Sequence, residues 1–89
     1  MASEEKIRAR IREIADSPTN VTLKDIEWVM ERLKQYGDVG ESANEHQKLF
    51  FFNGAQFGLC THRKGSKQLK PIYVKHFLNA MIKTGWYEE

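Results

Sequence analysis

Hydrophobic and polar residues follow two different periods along this chain, which divide it into helical and extended segments. In three segments apolar residues recur every three or four positions, the spacing typical of an amphipathic helix. Before the last of these helices lie two short runs rich in aromatic and aliphatic residues, separated by Asn53-Gly54. Asn-Gly in this setting is a strong signal for a β-hairpin, because both residues tolerate positive φ. The pattern predicts one α+β domain with the element order α-α-β-β-β-α.

The first predicted helix extends from about Glu4 to Ala15, with Ser3 as its N-cap. Its apolar positions form one narrow stripe: Ile7, Ile11 and Ile14. A polar turn cluster follows it, so we divide the sequence into an N-terminal helix and turn, residues 1–20, and a core region, residues 21–89. The helix either packs on the edge of the core or serves as a mobile arm for a partner, and packing is the favoured alternative.

The two later helices have terminal signals at both ends. Thr22 and Asp25 have the spacing of a capping box, and Gly37 is expected to end the second helix in the left-handed C′ position. The third helix is expected from about Ile72 to Lys83. The stripe expected to face the core from this helix is Val74, Phe77, Leu78, Met81 and Ile82. Between the second helix and the hairpin, residues 38–43 form a weak first strand or a loop.

The hairpin can close in two registers, which bury different residues. A two-residue turn buries Phe50 and Phe52, whereas a three-residue loop buries Leu49 and Phe51, because a shift of one residue turns every side chain to the other face. We favour the three-residue loop, since the other register would place Lys48 in line with the core. A buried charge is costly unless it is paired.

Size and composition place limits on what this protein can be. A chain of 89 residues with a hydrophobic fraction of 40% suits one small domain with a single core. No apolar run is long enough to cross a bilayer, and the charged N-terminus lacks the apolar centre of a signal peptide. Cys60 is the only cysteine, which agrees with a reducing compartment. We therefore expect a cytoplasmic protein.

The net charge of +2 conceals a strong asymmetry. Residues 1–45 carry seven Lys/Arg and ten Asp/Glu, whereas residues 46–87 carry seven Lys/Arg and no acid. This asymmetry predicts a polyanionic partner, nucleic acid first and an acidic protein second, with a solvated lysine rim as the alternative. A basic stretch ahead of a helix can bind phosphate through charge, backbone N–H groups and the helix dipole. The predicted phosphate contacts are Arg63, Lys64, Ser66, Lys67 and Lys70.

Histidine decides whether such a protein only binds RNA or also cleaves it. In the favoured register His46, Lys48 and His62 share the exposed face of the sheet. A histidine can take the proton of a ribose 2′-hydroxyl while a neighbouring cation stabilises the charge that builds on the phosphate. We predict His46 as the general base, assisted by Lys48 and His62, with a merely solvated histidine as the alternative. One cysteine and dispersed histidines do not make a zinc site, so no cofactor is expected.

Taken in order, these segments resemble the HicA family, small bacterial toxins that act as mRNA interferases on a fold like that of a double-stranded-RNA-binding domain (dsRBD-like). LKDIEWVMERLKQYG resembles the first helix of the family, and LKPIYVKHFLNAMIKTG resembles its last. The interval from His46 to Gly54 matches that from the family's catalytic histidine to its turn glycine. Asn44-Glu45 stands where the family has Gly-Ser.

The resemblance implies a three-stranded antiparallel sheet packed on two helices, α-β-β-β-α, with an extra N-terminal helix. It also implies that His46 is catalytic, that His62 falls close to a second family histidine, and that a HicB-type antitoxin is the protein partner. Two other functions remain open. One is an RNA-binding module on the same fold, and the other is a protein-interaction domain with Phe50 and Phe52 exposed.

Overall fold

The computed structural model describes residues 3–43, 47–60 and 69–88, which form three helices and one three-stranded antiparallel sheet. The helices are α1 (Glu4–Asp16), α2 (Leu23–Leu33) and α3 (Pro71–Lys83), and a 3-10 turn at Pro18–Asn20 joins α1 to α2. The strands are β1 (Val39–Ala43), β2 (Gln47–Phe52) and β3 (Ala55–Cys60), in the spatial order β1-β2-β3. The expected α+β class and element order are confirmed. Within the described ranges, no helix has the length and apolarity that a membrane span requires.

One hydrophobic core joins all three helices to one face of the sheet. The isoleucines of α1 belong to that core and are buried: Ile7, Ile11 and Ile14. Arg8 connects α1 to the end of α3, because its guanidinium donates to the Gly85 carbonyl at 3.0 Å and lies 4.8 Å from the centre of the Trp86 ring. Of the two alternatives for the N-terminal helix, packing against the core is the one that occurs.

The N-terminal signals of α1 and α2 act as the sequence predicts. The Ser3 hydroxyl accepts a hydrogen bond from the Lys6 N–H at 3.3 Å. Thr22 and Asp25 form the complete capping box, with each side chain accepting from the other residue's backbone N–H. These caps satisfy helix N–H groups that would otherwise have no partner within the helix.

Gly37 does not have the role predicted for it. α2 ends at Leu33, and Gly37 is not among the described residues with positive φ. A side chain at this position would instead displace the Asn53 amide, because a Cβ atom on Gly37 would lie 2.5 Å from it. The Asn53 side-chain oxygen accepts a hydrogen bond from the Asp38 N–H at 3.0 Å. Gly37 therefore gives the hairpin turn room to dock beside the end of α2.

α3 presents a slightly different face to the sheet than its hydrophobic pattern predicts. The buried residues are Val74, Phe77, Ala80 and Met81. Ile82 is 38% exposed, so its assignment to the core stripe is wrong, and Leu78 is only partly buried. At 100° per residue, Ile82 lies more than a quarter turn from the centre of the buried stripe. The small side chain of Ala80 fills the position on the other side.

The hairpin has the two-residue turn, so the register that we favoured is wrong. Phe52 pairs with Ala55, and the turn residues Asn53 and Gly54 have φ values of 46° and 90°, as a type I′ turn requires. Phe50 and Phe52 are each 1% exposed and face the helices. A partner patch made of exposed Phe50 and Phe52 is therefore excluded.

Candidate functional site at one end of the sheet

The two ends of the sheet have different surroundings. At one end, which we call the Gln47–Cys60 end, the first residue of β2 is the Cα partner of the last residue of β3. The hairpin turn is at the other end. There Phe52 contacts Trp86, which follows α3, with 6.4 Å between the ring centroids, and Tyr36, which follows α2, contacts Trp86 at 5.2 Å. The C-terminal ends of α2 and α3 therefore lie at the turn end.

The N-terminal ends of α2 and α3 lie at the Gln47–Cys60 end. The Leu69 N–H, just before α3, donates to the carbonyl of Val21, just before α2, at 2.7 Å. Lys48, near the start of β2, contacts Glu27 in the first half of α2 at 2.8 Å. The positive ends of two helix dipoles thus lie where β2 begins and β3 ends.

These two helix N-termini differ in charge. At α2 the Asp25 carboxylate accepts from the Thr22 N–H at 2.9 Å, which places a negative group at the positive end of the helix. α3 follows Lys70 and begins with Pro71, and it has neither an acid in its first turn nor a side-chain cap. Lys70 is exposed, and it takes part in none of the ion pairs among the described residues. The α3 N-terminus with Lys70 is therefore a cationic position at this end of the sheet.

Lys48 does not lie on the exposed face, where it was predicted. It alternates with Phe50 and Phe52 on the side of β2 that faces the helices, and its side chain is 18% exposed. Its ammonium lies 2.8 Å from the Glu27 carboxylate and 3.6 Å from that of Glu41. The hydrogen bond that Lys48 donates to Glu27 raises the pKa of Lys48 most; burial opposes it, and the Glu41 carboxylate raises the pKa further. A lysine held by two carboxylates is poorly placed to stabilise charge on a phosphate.

The remaining predicted site residues lie outside the described residues: His46, His62, Arg63, Lys64, Ser66 and Lys67. The described neighbours of these segments do have defined positions. Ala43 pairs with Lys48, and Gln47 pairs with Cys60. Leu69 precedes α3 at its N-terminal end. All of these flanking residues border the Gln47–Cys60 end of the sheet.

The sheet face that points away from the helices carries different residues from those predicted, because the hairpin register differs. We call it the open face, and its described side-chain positions are Gly40, Ser42, Leu49, Phe51, Gln56 and Gly58. Phe51 is 37% exposed and lies between Gly40 and Gln56 across the three strands. None of these six positions carries a charged residue. The correct hairpin register would have revealed this face from the sequence.

Metal ligands do not assemble in the part of the chain that the structure describes. Within these ranges no group of three or more His, Cys, Asp or Glu side chains is arranged to hold a metal ion.

Among known protein-family models, curated proteins and solved structures, none matches this chain. The described residues define a class by their fold: a small α+β domain in which one face of a three-stranded antiparallel sheet packs against three helices. The resemblance to the HicA family stays a prediction that rests on the sequence motifs.

Proposed function

We propose that this protein is a metal-independent ribonuclease of the HicA type, a toxin on a dsRBD-like fold with His46 as its general base. The observation that carries the proposal is the pairing of Gln47 with Cys60. In the sequence, His46 immediately precedes Gln47, and His62 follows Cys60 by two positions. Both histidine-bearing segments are therefore joined to the same end of the sheet, where α3 also begins with Lys70.

The chemistry requires a base, an acid and a means to stabilise a phosphorane-like transition state. His46 removes the proton of the 2′-hydroxyl, and the 2′-oxygen forms a bond to the adjacent phosphorus. The bond from phosphorus to the 5′-oxygen breaks, and His62 returns a proton to that leaving oxygen. The products are a 2′,3′-cyclic phosphate and a 5′-hydroxyl. DNA lacks the 2′-hydroxyl and is not a substrate.

Stabilisation of the phosphate falls first to Lys70, which takes part in none of the ion pairs among the described residues. Lys70 adds its charge to the positive end of the α3 dipole, and this favours an anion at that position. The other phosphate contacts in the proposal come from the basic segment that precedes Lys70: Arg63, Lys64, Ser66 and Lys67. Lys48 has a positioning role instead, because its contacts with Glu27 and Glu41 fix the start of β2, next to His46 in the sequence.

A toxin of this kind implies a protein that restrains it. The proposed partner is a HicB-type antitoxin that covers His46 and neutralises the basic segment. An acidic surface on the antitoxin suits residues 46–87, which contain seven Lys/Arg and no acid.

The decisive experiment compares purified wild type with His46→Ala and His76→Ala. His76 is exposed on α3, so its substitution is a matched control for the loss of one histidine. Each protein is incubated with end-labelled single-stranded RNA in EDTA, and with DNA of the same sequence. We expect wild type and His76→Ala to cleave RNA to 2′,3′-cyclic termini and to leave DNA intact. His46→Ala is expected to be at least about 100-fold slower.

Two outcomes would count against the proposal. Equal cleavage by His46→Ala would remove His46 from the mechanism. RNA binding by all three proteins without cleavage would instead indicate that the protein is an RNA-binding module and not a ribonuclease.

A further inference from the structure

The open face is unusual for a protein in which 29% of the residues are charged. Its six described side-chain positions include no charge, two are glycine, and its largest side chain belongs to Phe51, a residue that is 37% exposed. Phosphate groups are bound by cations and N–H donors, so they are not what this face recognises. Its chemistry suits an uncharged, flat and partly apolar ligand.

The size of the open face limits what can occupy it. Three strands at about 4.8 Å spacing and five residues at about 3.3 Å rise cover roughly 240 Å². A stable protein–protein interface buries about 800 Å² on each partner. A second copy of the chain or a globular partner would therefore need most of its contacts elsewhere. Two or three nucleobases match the available area, and sheet aromatics in RNA-binding domains stack that number of bases.

We infer that the open face is a base-stacking platform for single-stranded RNA, with Phe51 as its aromatic anchor. This inference deepens the proposed function and rests on it, since it names the part of the RNA that the ribonuclease would hold on its sheet. Every nucleobase has a π-face, so a platform of this kind is tolerant of sequence. The RNA bases lie on the uncharged face, and the phosphates remain in solvent or reach the cations at the Gln47–Cys60 end.

The glycine beside Phe51 is part of the platform. A Cβ atom built on Gly40 would contact the Phe51 ring at 3.6 Å, so the ring extends over the glycine. No side chain rises from Gly40 to compete with a stacked base. Along β2, Phe51 lies four residues from Gln47, about 13 Å at a rise of about 3.3 Å per residue. An RNA strand stacked on Phe51 can therefore continue towards the Gln47–Cys60 end of the sheet.

The test measures RNA affinity in the His46→Ala background, which keeps the RNA intact. A fluorescein-labelled single-stranded RNA octamer is titrated with the parent and with Phe51→Leu, Phe51→Tyr and Ile82→Ala, using fluorescence anisotropy. Ile82→Ala is the matched control, because Ile82 is 38% exposed on α3. Phe51→Leu keeps an apolar side chain without the ring, and Phe51→Tyr keeps the ring. Thermal unfolding verifies that each variant is folded.

We expect Phe51→Leu to weaken binding by about fivefold or more, and Phe51→Tyr and Ile82→Ala to bind like the parent. An octamer that is abasic at every position provides a second measurement, because it keeps the phosphates and lacks the bases. For this oligonucleotide the parent and Phe51→Leu are expected to have equal affinity. The Phe51 effect should also persist when salt is raised, since stacking does not depend on counterion release.

Equal affinities of the parent and Phe51→Leu for the intact octamer would overturn the inference. The inference would also be overturned if Phe51→Leu weakened binding of the abasic octamer, or if the open face bound a protein and no RNA. The outcome is separable from the cleavage assay. Cleavage that requires His46 but not Phe51 would support the ribonuclease and reject the stacking platform. RNA binding that requires Phe51, without cleavage, would support the platform and reject the ribonuclease.

Discussion

The Lys48 ammonium and the Glu27 carboxylate lie 2.8 Å apart and link β2 to α2 across 21 positions of the sequence. The contact explains how a lysine can occupy the helix-facing side of the sheet. Glu41, on the neighbouring strand, approaches the same ammonium at 3.6 Å. The register that buries Phe50 and Phe52 is therefore compatible with the charge of Lys48.

This ion pair leads to a prediction about stability. Glu27→Gln should lower the free energy of unfolding by about 1 kcal/mol, because Lys48 loses its shorter ion pair and keeps the longer one with Glu41. The measurement is urea unfolding followed by circular dichroism. Glu31→Gln provides the control, since the partner of Glu31 among the described residues is the exposed Lys34 at 2.9 Å, and its loss should change stability by less. Equal effects of the two substitutions would contradict a special role for Glu27.

A pH dependence follows from the same contact. The pKa of Lys48 is raised above its usual value of 10.5, so the folded state holds this proton more tightly than the unfolded state. The stabilisation is complete below about pH 10.5 and is lost as pH rises through the folded-state pKa. Wild type should therefore lose stability in alkali more steeply than Lys48→Met, which has no proton to lose at this position. Parallel stability curves for the two proteins between pH 9 and pH 12 would rule this out.

The hairpin turn provides a third prediction. Gly37→Ala should be destabilising, because its Cβ would lie 2.5 Å from the Asn53 side-chain amide. In an Asn53→Gly background the same substitution should lose most of its effect, since the clashing group is gone and glycine tolerates the φ of 46° found there. A double-mutant cycle of unfolding free energies tests this coupling. Additive effects would mean that Gly37 is needed for another reason.

The N-terminal helix is expected to contribute strongly to stability. Ile11→Ala removes a side chain with 0% exposure and should cost about 2–5 kcal/mol of unfolding free energy. Arg12→Ala, at an exposed position of the same helix, should change stability by no more than about 0.5 kcal/mol. Chemical denaturation of both variants measures the difference. Similar small effects would indicate that α1 is dispensable to the core.

Much of the fold could be predicted from the sequence, because the signals for it are local. The Ser3 cap, the capping box at Thr22 and the Asn53-Gly54 turn each depend on residues within three positions of one another. The element order followed from these signals and from hydrophobic periodicity. The prediction of which α3 residues are buried was less accurate. Ile82 is as apolar as its buried neighbours, so periodicity alone did not separate it from them.

The hairpin register could not be predicted in the same way, since it depends on a contact distant in sequence. Burial of Lys48 is costly only when the lysine has no partner, and its partner Glu27 lies on α2. The error placed Phe51 in the core, so the open face was assigned the wrong residues. The basic, acid-free half of the chain and its histidines could be identified from the sequence. Only the structure shows that the residues flanking those histidines, Gln47 and Cys60, pair at one end of the sheet.

The contact of Arg8 with Gly85 and Trp86 has a consequence for biosynthesis. A ribosome releases α1 long before the last helix has been made, so the guanidinium has neither its carbonyl acceptor nor its indole ring until Gly85 and Trp86 have emerged. This domain of the nascent chain should therefore reach its native state only after these two residues are available, and fragments that stop before residue 85 should leave the isoleucines of α1 incompletely covered.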